Sequence, residues 1–267
     1  MSPRPKHDPI RATLRDRAYD GLRDLLIAGQ LAPGEKLSVR ELAAGLDMSP
    51  MPVREAVQRL VAERALEVRP QSAVRVPLMT RAHFVELTTI RFNLEGMAAL
   101  TAAGEITPVE LARVRRYHER FRKSARRTRP NASVVIRANQ QLHFAVYQCA
   151  RMPTLLRLIE TLWLRIGPVL IFDLRSSPRR LHTLAAHDCH EHLVTALEHR
   201  DGDAARRALV SDIESAAAYI LSRPIARHRV TLTMELKRAA RGGGGEQSIN
   251  EMQSLASRWS PVPGHCV

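Results

Sequence analysis

Two helix starts stand close together near the N-terminus, and no other feature constrains the fold of the chain as tightly. Ser38-Val39-Arg40-Glu41 has the form of a capping box, in which the serine hydroxyl accepts from the glutamate amide and the glutamate carboxylate reaches back to the serine amide. The helix that begins there carries Leu42, Ala43 and Leu46 on one face and stops at Gly45-Leu46-Asp47-Met48. Ser49 restarts the pattern as an N-cap, with Pro50 at the first helical position, where its missing N–H costs nothing, and Pro52 still in the first turn. Val53, Ala56, Val57, Leu60 and Val61 then face inward, while Arg54, Gln58 and Arg59 point elsewhere.

Two short helices joined by a tight polar turn predict a helix-turn-helix, in which the front of the second helix meets base edges and its positive dipole end faces phosphate. Leu66-Glu67-Val68-Arg69 and Ala73-Val74-Arg75-Val76 alternate with period two around Pro70-Gln71-Ser72, which predicts a hairpin wing. The plain alternative is a helical hairpin used only for packing. The agreement between caps and wing argues against it. Upstream, Leu14, Ala18, Leu22, Leu25 and Leu26 repeat at helical spacing over 12–29, with Gly29 as the stop, and this helix should pack under the other two. Residues 1–10 hold three prolines and mixed charge and read as a loose arm.

Past Val76 the periodicity becomes helical almost throughout. Breaks at Gly104 to Pro108, Thr128 to Asn131, Arg151 to Pro153, Ser176 to Pro178 and Asp201 to Asp203 leave helices at about 80–103, 107–127, 132–150, 153–175, 178–199 and 202–222. Six amphipathic helices with short connections imply an antiparallel all-α bundle, whose interior is a natural ligand chamber. The expected fold is therefore mostly α, with a winged helix-turn-helix over 11–77, a helical domain over 80–222, and a boundary near 77–81. Gly242 to Gly245 opens a terminal stretch, and 223–267 reads as a flexible tail.

The formal charge is +14, but residues 1–80 carry 13 Lys and Arg against 10 Asp and Glu, 81–222 carry 21 against 14, and 223–267 carry 7 against 3. The excess is spread out, so the helix-turn-helix and not bulk charge carries the case for DNA. The arginine-dense run from Arg113 to Arg129 spreads around more than one helix face and reads mainly as solvated surface, with contact to DNA flanks as the alternative. Cys149, Cys189 and Cys266 are odd in number and lack C-x-x-C spacing, no apolar run approaches about 18 residues, and the start Met1-Ser2-Pro3-Arg4 has no signal-peptide core. A soluble cytoplasmic protein without membrane contact is expected.

At these residues a resemblance can be named. Pro33-Gly34-Glu35-Lys36-Leu37, Arg40-Glu41-Leu42-Ala43, Ser49-Pro50-Met51-Pro52-Val53-Arg54-Glu55-Ala56 and Arg59-Leu60 resemble the DNA-binding domain of the GntR family of bacterial transcription regulators. The resemblance implies DNA contact from Arg40, Ser49, Met51, Arg54 and the wing tip near Ala73. Ala65 and Ala73 stand where the family usually has glycine, and Pro50-Met51 replaces a more basic pair. Behind this domain, Glu86, Arg91, Glu95 and the alanine-rich stretch from Met97 to Ala103 resemble the opening helix of the FCD effector-binding domain.

That second resemblance implies a metal site of one acidic residue, a His four positions later, and two further His from the last two helices. Here those places hold Asn139, His143, His190 and Asp212. Two imidazoles and one carboxylate still suit a divalent cation such as Zn²⁺, Mn²⁺ or Ni²⁺, with the Asn139 amide as a weaker member. The alternative is a polar chamber of hydrogen-bonded histidines without metal. The resemblance also turns Arg91 toward the chamber, where with Asn139, His143 and His190 it would hold a small organic acid; pairing of Arg91 with Glu95 one turn along is the plain alternative. Trp163 is a further candidate liner.

Together these readings give a homodimeric, sequence-specific regulator, more often a repressor, that binds duplex operator DNA under the control of an organic acid, and not an enzyme. Two rival readings make different demands on these residues. A metal-dependent enzyme would use His143, His190 and Asp212 but shows no nucleophile or general base pattern beside them. A non-specific nucleic-acid binder would lose nearly all affinity with rising salt.

Overall fold

The structure is a computed structural model that describes residues 13–27, 30–31, 33–69, 73–128, 130–176 and 186–222. The capping box at Ser38 closes as the sequence demands: Glu41 N–H donates to the Ser38 hydroxyl at 3.1 Å and Ser38 N–H to the Glu41 carboxylate at 2.6 Å. It opens α2 (Val39–Gly45), which follows α1 (Leu14–Ile27) and precedes α3 (Pro50–Ala62). Ala18, Leu22 and Leu26 of α1 and Val53, Ala56 and Leu60 of α3 are all but fully buried, so the two helices meet along their apolar stripes. Leu14, expected in that stripe, is instead 60% exposed.

Polar ties fix the angle of this pair. Tyr19 donates to Glu63 at 2.8 Å with the Arg59 guanidinium 3.6 Å over its ring, and Arg15 meets Glu55 at 2.6 Å. The wing is larger than the expected hairpin: β1 (Lys36–Leu37), β2 (Glu67–Arg69) and β3 (Ala73–Arg75) form an antiparallel sheet in the order β1-β3-β2. Lys36 pairs with Arg75 and Leu37 with Val74. Period-two alternation cannot announce a strand of two residues, so β1 escaped the sequence reading. Gly34, at φ 80°, turns the chain into it.

The left-handed residue ahead of β2 is Arg64, at φ 58°, and not Ala65. Ala73 sits in β3 opposite Arg69, in extended backbone that alanine adopts freely. The tip at 70–72 lies outside the described residues, as do the expected arm at 1–10 and tail at 223–267.

After the linker, α4 (Arg81–Glu105), α5 (Pro108–Ala125), α6 (Ala132–Cys149), α7 (Pro153–Ser176), α8 (Ala186–Glu198) and α9 (Gly202–Ser222) build the bundle. Each break foreseen in the sequence separates two of them, although 177–185, where the fifth was expected to begin, lie outside the described residues. The longest contacts run between α4 and α9, α8 and α9, and α5 and α6. Among the described residues no helix is long and apolar enough to cross a membrane. The two halves touch: α1 packs on α7, where a side chain at Gly167 would meet Ile27 Cα and Leu26 O at 3.4 Å.

Candidate functional site

Two surfaces carry the chemistry, and the first is the front of α3. Arg54 and Ser49 are exposed there, Met51 is 67% exposed, and Arg40 is exposed on the neighbouring α2. Neither arginine is engaged in an ion pair with another described residue. Ser49 occupies the N-cap position, but its side chain makes no capping hydrogen bond, so the hydroxyl is left to face outward. Pro50 and Pro52 have no N–H, and Met51 therefore supplies the only amide in the first three helical positions. The helix end is thus a weaker anion site than a helix-turn-helix usually offers, and the nearby guanidinium groups must carry more of the attraction. Arg40, Ser49, Met51 and Arg54 cluster at this end, while Ala73 belongs to the wing.

The second site lies inside the bundle. From α4, Arg91 and Glu95 are 4% and 0% exposed and pair at 2.6 Å between Nε and Oε1. The internal pairing weighed as the plain alternative is therefore present: Arg91 faces the interior, but a neighbouring carboxylate already holds it. Glu95 also accepts from Trp163 Nε1 of α7 at 3.2 Å and from the Tyr147 hydroxyl of α6 in a short hydrogen bond. Burial opposes the Arg91 charge, and Glu95 more than offsets it, holding the guanidinium above its usual pKa. Burial and Glu95 together push Tyr147 well above the ordinary phenol range, so it keeps its proton.

The Tyr147 hydroxyl lies 2.9 Å from His143 Nδ1. On the other side of that ring, His143 Nε2 stands 3.1 Å from His190 Nε2 of α8 and 3.2 Å from Asp212 Oδ2 of α9, and His190 Nε2 is 3.6 Å from the same oxygen. His143 and His190 are almost wholly buried and Asp212 nearly so. Burial works against charge on Asp212, but His190 and His143 outweigh it and hold the carboxyl far below its usual range. Burial also pushes His190 below the usual imidazole range, against the pull of Asp212. Its Nδ1 is buried without a hydrogen bond, and the Phe121 ring of α5 lies 4.6 Å away between centroids.

These distances can be tested against a metal. An ion about 2.0–2.1 Å from each donor requires donor separations of about 2.8–3.4 Å, from octahedral to tetrahedral. The observed 3.1 and 3.2 Å fall within this range and 3.6 Å lies just beyond it, so His143, His190 and Asp212 would hold one ion after a small adjustment. Among the described His, Cys, Asp and Glu side chains this is the group of three so placed, and its N and O donors suit Zn²⁺, Mn²⁺ or Ni²⁺. Asn139 lies one turn before His143 and is half-buried.

Sequence reasoning named the three clustered donors but missed Tyr147, although its position one turn beyond His143 on the same helix face was a usable signal. Of the surrounding histidines, His187 is half-buried beside Phe121, whereas His192 and His199 are exposed. His182 lies outside the described residues.

Two family models match successive parts of the chain. The family described as bacterial regulatory proteins, gntR family, matches residues 14–76, and the FCD domain matches residues 86–215. The HTH-type transcriptional regulator McbR of Escherichia coli is 32% identical over 207 residues, covering 74% of this chain and 89% of the relative. A probable D-xylose utilization operon transcriptional repressor of Paenarthrobacter nicotinovorans is 30% identical over 210 residues, covering 79% and 88%. The solved structure of E. coli McbR/YncC superposes with a TM-score of 0.73 at 31% identity, over 78% of this chain and 97% of that one.

Proposed function

Because the chain belongs to the GntR family of bacterial transcription regulators, with an FCD domain behind its winged helix, we propose that it is an operator-specific repressor controlled from the bundle by a small organic acid at a metal. DNA-binding regulation follows from the family. The specific reading rests on one observation, the three donors of His143, His190 and Asp212 spaced to share a single ion beside a buried guanidinium.

Charge supports the step from metal to acid. Arg91 and Glu95 cancel, and a divalent ion against the single negative charge of Asp212 leaves one positive charge in a dry interior. A buried excess charge is costly unless it is paired, so the loaded chamber favours a carboxylate, with the Arg91 guanidinium close by to orient it. The metal would supply a fixed Lewis-acidic anchor; His143, His190 and Asp212 would hold it, and Asn139 would stand at the chamber's edge. A catalytic reading would need an open path and an activated group, and the near-complete burial of the cluster favours sensing.

Two-fold assembly completes the scheme. Ile90, Met97 and Leu100 form an apolar stripe on the outer side of α4, each about two-fifths exposed, which supports pairing of two copies and hence two recognition helices on a palindromic site. The acid changes operator affinity only to the extent that it binds the DNA-competent and incompetent arrangements differently.

The test is selection of bound fragments from genomic DNA at moderate salt with excess competitor, together with metal analysis of untagged protein purified without chelator. Selective recovery with about one metal per chain is expected. Recovery without selectivity would remove the regulator reading, and selective recovery with no metal would remove only its control by a metal and acid.

A further inference from the structure

A hydrogen-bond chain enters the metal cluster from the side opposite the ligands, and the donor rules fix its direction. Tyr147 has one hydroxyl proton, and a carboxylate such as that of Glu95 can only accept. Tyr147 therefore donates to Glu95 and accepts from His143, which places the imidazole proton on Nδ1. With the Nδ1 proton committed to Tyr147, Nε2 is the atom that faces His190 and Asp212, and it becomes a cation ligand once any proton it shares with the Asp212 carboxylate is displaced. Arg91 and Trp163 also donate to Glu95, holding the carboxylate in place from two further directions.

From this we infer that Tyr147, held by Glu95, is the positioning residue that locks His143 in the Nδ1–H tautomer and so presents a ready Nε2 donor to a divalent cation. The inference deepens the metal reading above and rests on it for its consequence, although the tautomer itself does not. His190 has no equivalent partner, since its Nδ1 is buried without a hydrogen bond. The chamber is therefore asymmetric: one imidazole is preset and the other must adjust. Such outer partners govern ligand orientation and basicity, and their loss weakens metal binding by roughly ten- to hundredfold.

The test uses full-length, untagged wild type and Tyr147→Phe, with Glu95→Gln as a second variant. Long-range ¹H–¹⁵N spectra of histidine-labelled, metal-free protein report the His143 tautomer, and competition with a chromogenic chelator reports Zn²⁺ affinity. Wild type should show Nδ1–H, Tyr147→Phe should lose that signature while keeping its helical circular dichroism, and Zn²⁺ affinity should fall roughly ten- to hundredfold. A merely structural Tyr147 would move stability but not the tautomer. An unprotonated Nδ1 in wild type, or equal Zn²⁺ affinity in wild type and Tyr147→Phe, would overturn the inference. Wild type that shows Nδ1–H but takes up no Zn²⁺ would uphold the tautomer lock and overturn the metal reading instead. Should Tyr147→Phe fail to fold, the wild-type tautomer and Glu95→Gln still decide.

Discussion

Arg54 stands exposed one turn into the recognition helix, unpaired with any described acid, beside an apolar Met51 and two prolines that silence most of the helix-end amides. Its guanidinium therefore has more to do than a similar arginine on a helix with free amides. Replacing Arg54 with Ala should weaken specific operator binding by about 1–3 kcal/mol and relax base preference at one position, whereas loss of a phosphate contact would weaken all sequences alike. Gel-shift titration against the selected site and single-base variants separates the two, and unchanged affinity would take Arg54 out of the readout. Within the bundle, the residue types were legible in sequence but their pairings were not. Arg91 and Glu95 are helix neighbours in any helical reading, yet only packing by Tyr147 and Trp163 shows that the carboxylate stays with the arginine.

Helix ends were the most legible elements, because a cap is a local reaction between neighbouring residues. Thr107 and Glu110 form a second capping box at the start of α5, and Arg151 joins it at 2.8 Å. The Thr107 amide, then Arg151 and the Thr107 hydroxyl, lower the Glu110 pKa to about 2. A depressed carboxyl contributes stability that is present above its unfolded pKa and is lost as pH falls through the folded value. Glu110→Gln should therefore melt below wild type at neutral pH, and the gap should narrow from about pH 4.5 and vanish near pH 2. A gap independent of pH would show that the box does not work through the ionised carboxylate. Elements that depend on distant partners were harder to see. β1 has two residues and exists only because β3 lies beside it, and Leu14 follows the apolar rhythm of α1 without a neighbour to bury it.

Across the whole molecule, α7 joins the two sites. It brings Trp163 to Glu95 inside the bundle, and one turn later Gly167 lies against the backbone of α1, under the recognition helix. A Cβ at Gly167 would meet Ile27 Cα and Leu26 O at 3.4 Å, so alanine should be nearly neutral. Leucine has to push α1 and α7 apart, and overpacking of this kind typically costs about 1–3 kcal/mol. Thermal melts of Gly167→Ala and Gly167→Leu check the contact; equal stability would mean that the halves do not hold each other here.

The local sequence determined where helices start and stop, which faces are apolar, and which residues carry nitrogen and oxygen donors, since caps, periodicity and residue chemistry act over a few positions. It also placed the recognition helix, because Ser49, Arg54 and the inward stripe lie within a few turns of one another. Tertiary structure alone decided that His143, His190 and Asp212 converge to 3.1–3.6 Å, that Tyr147 orients one of them, and that α7 leans on α1. Those facts depend on packing between helices far apart in the chain, and the distance between two such side chains is set by every residue that fills the space around them.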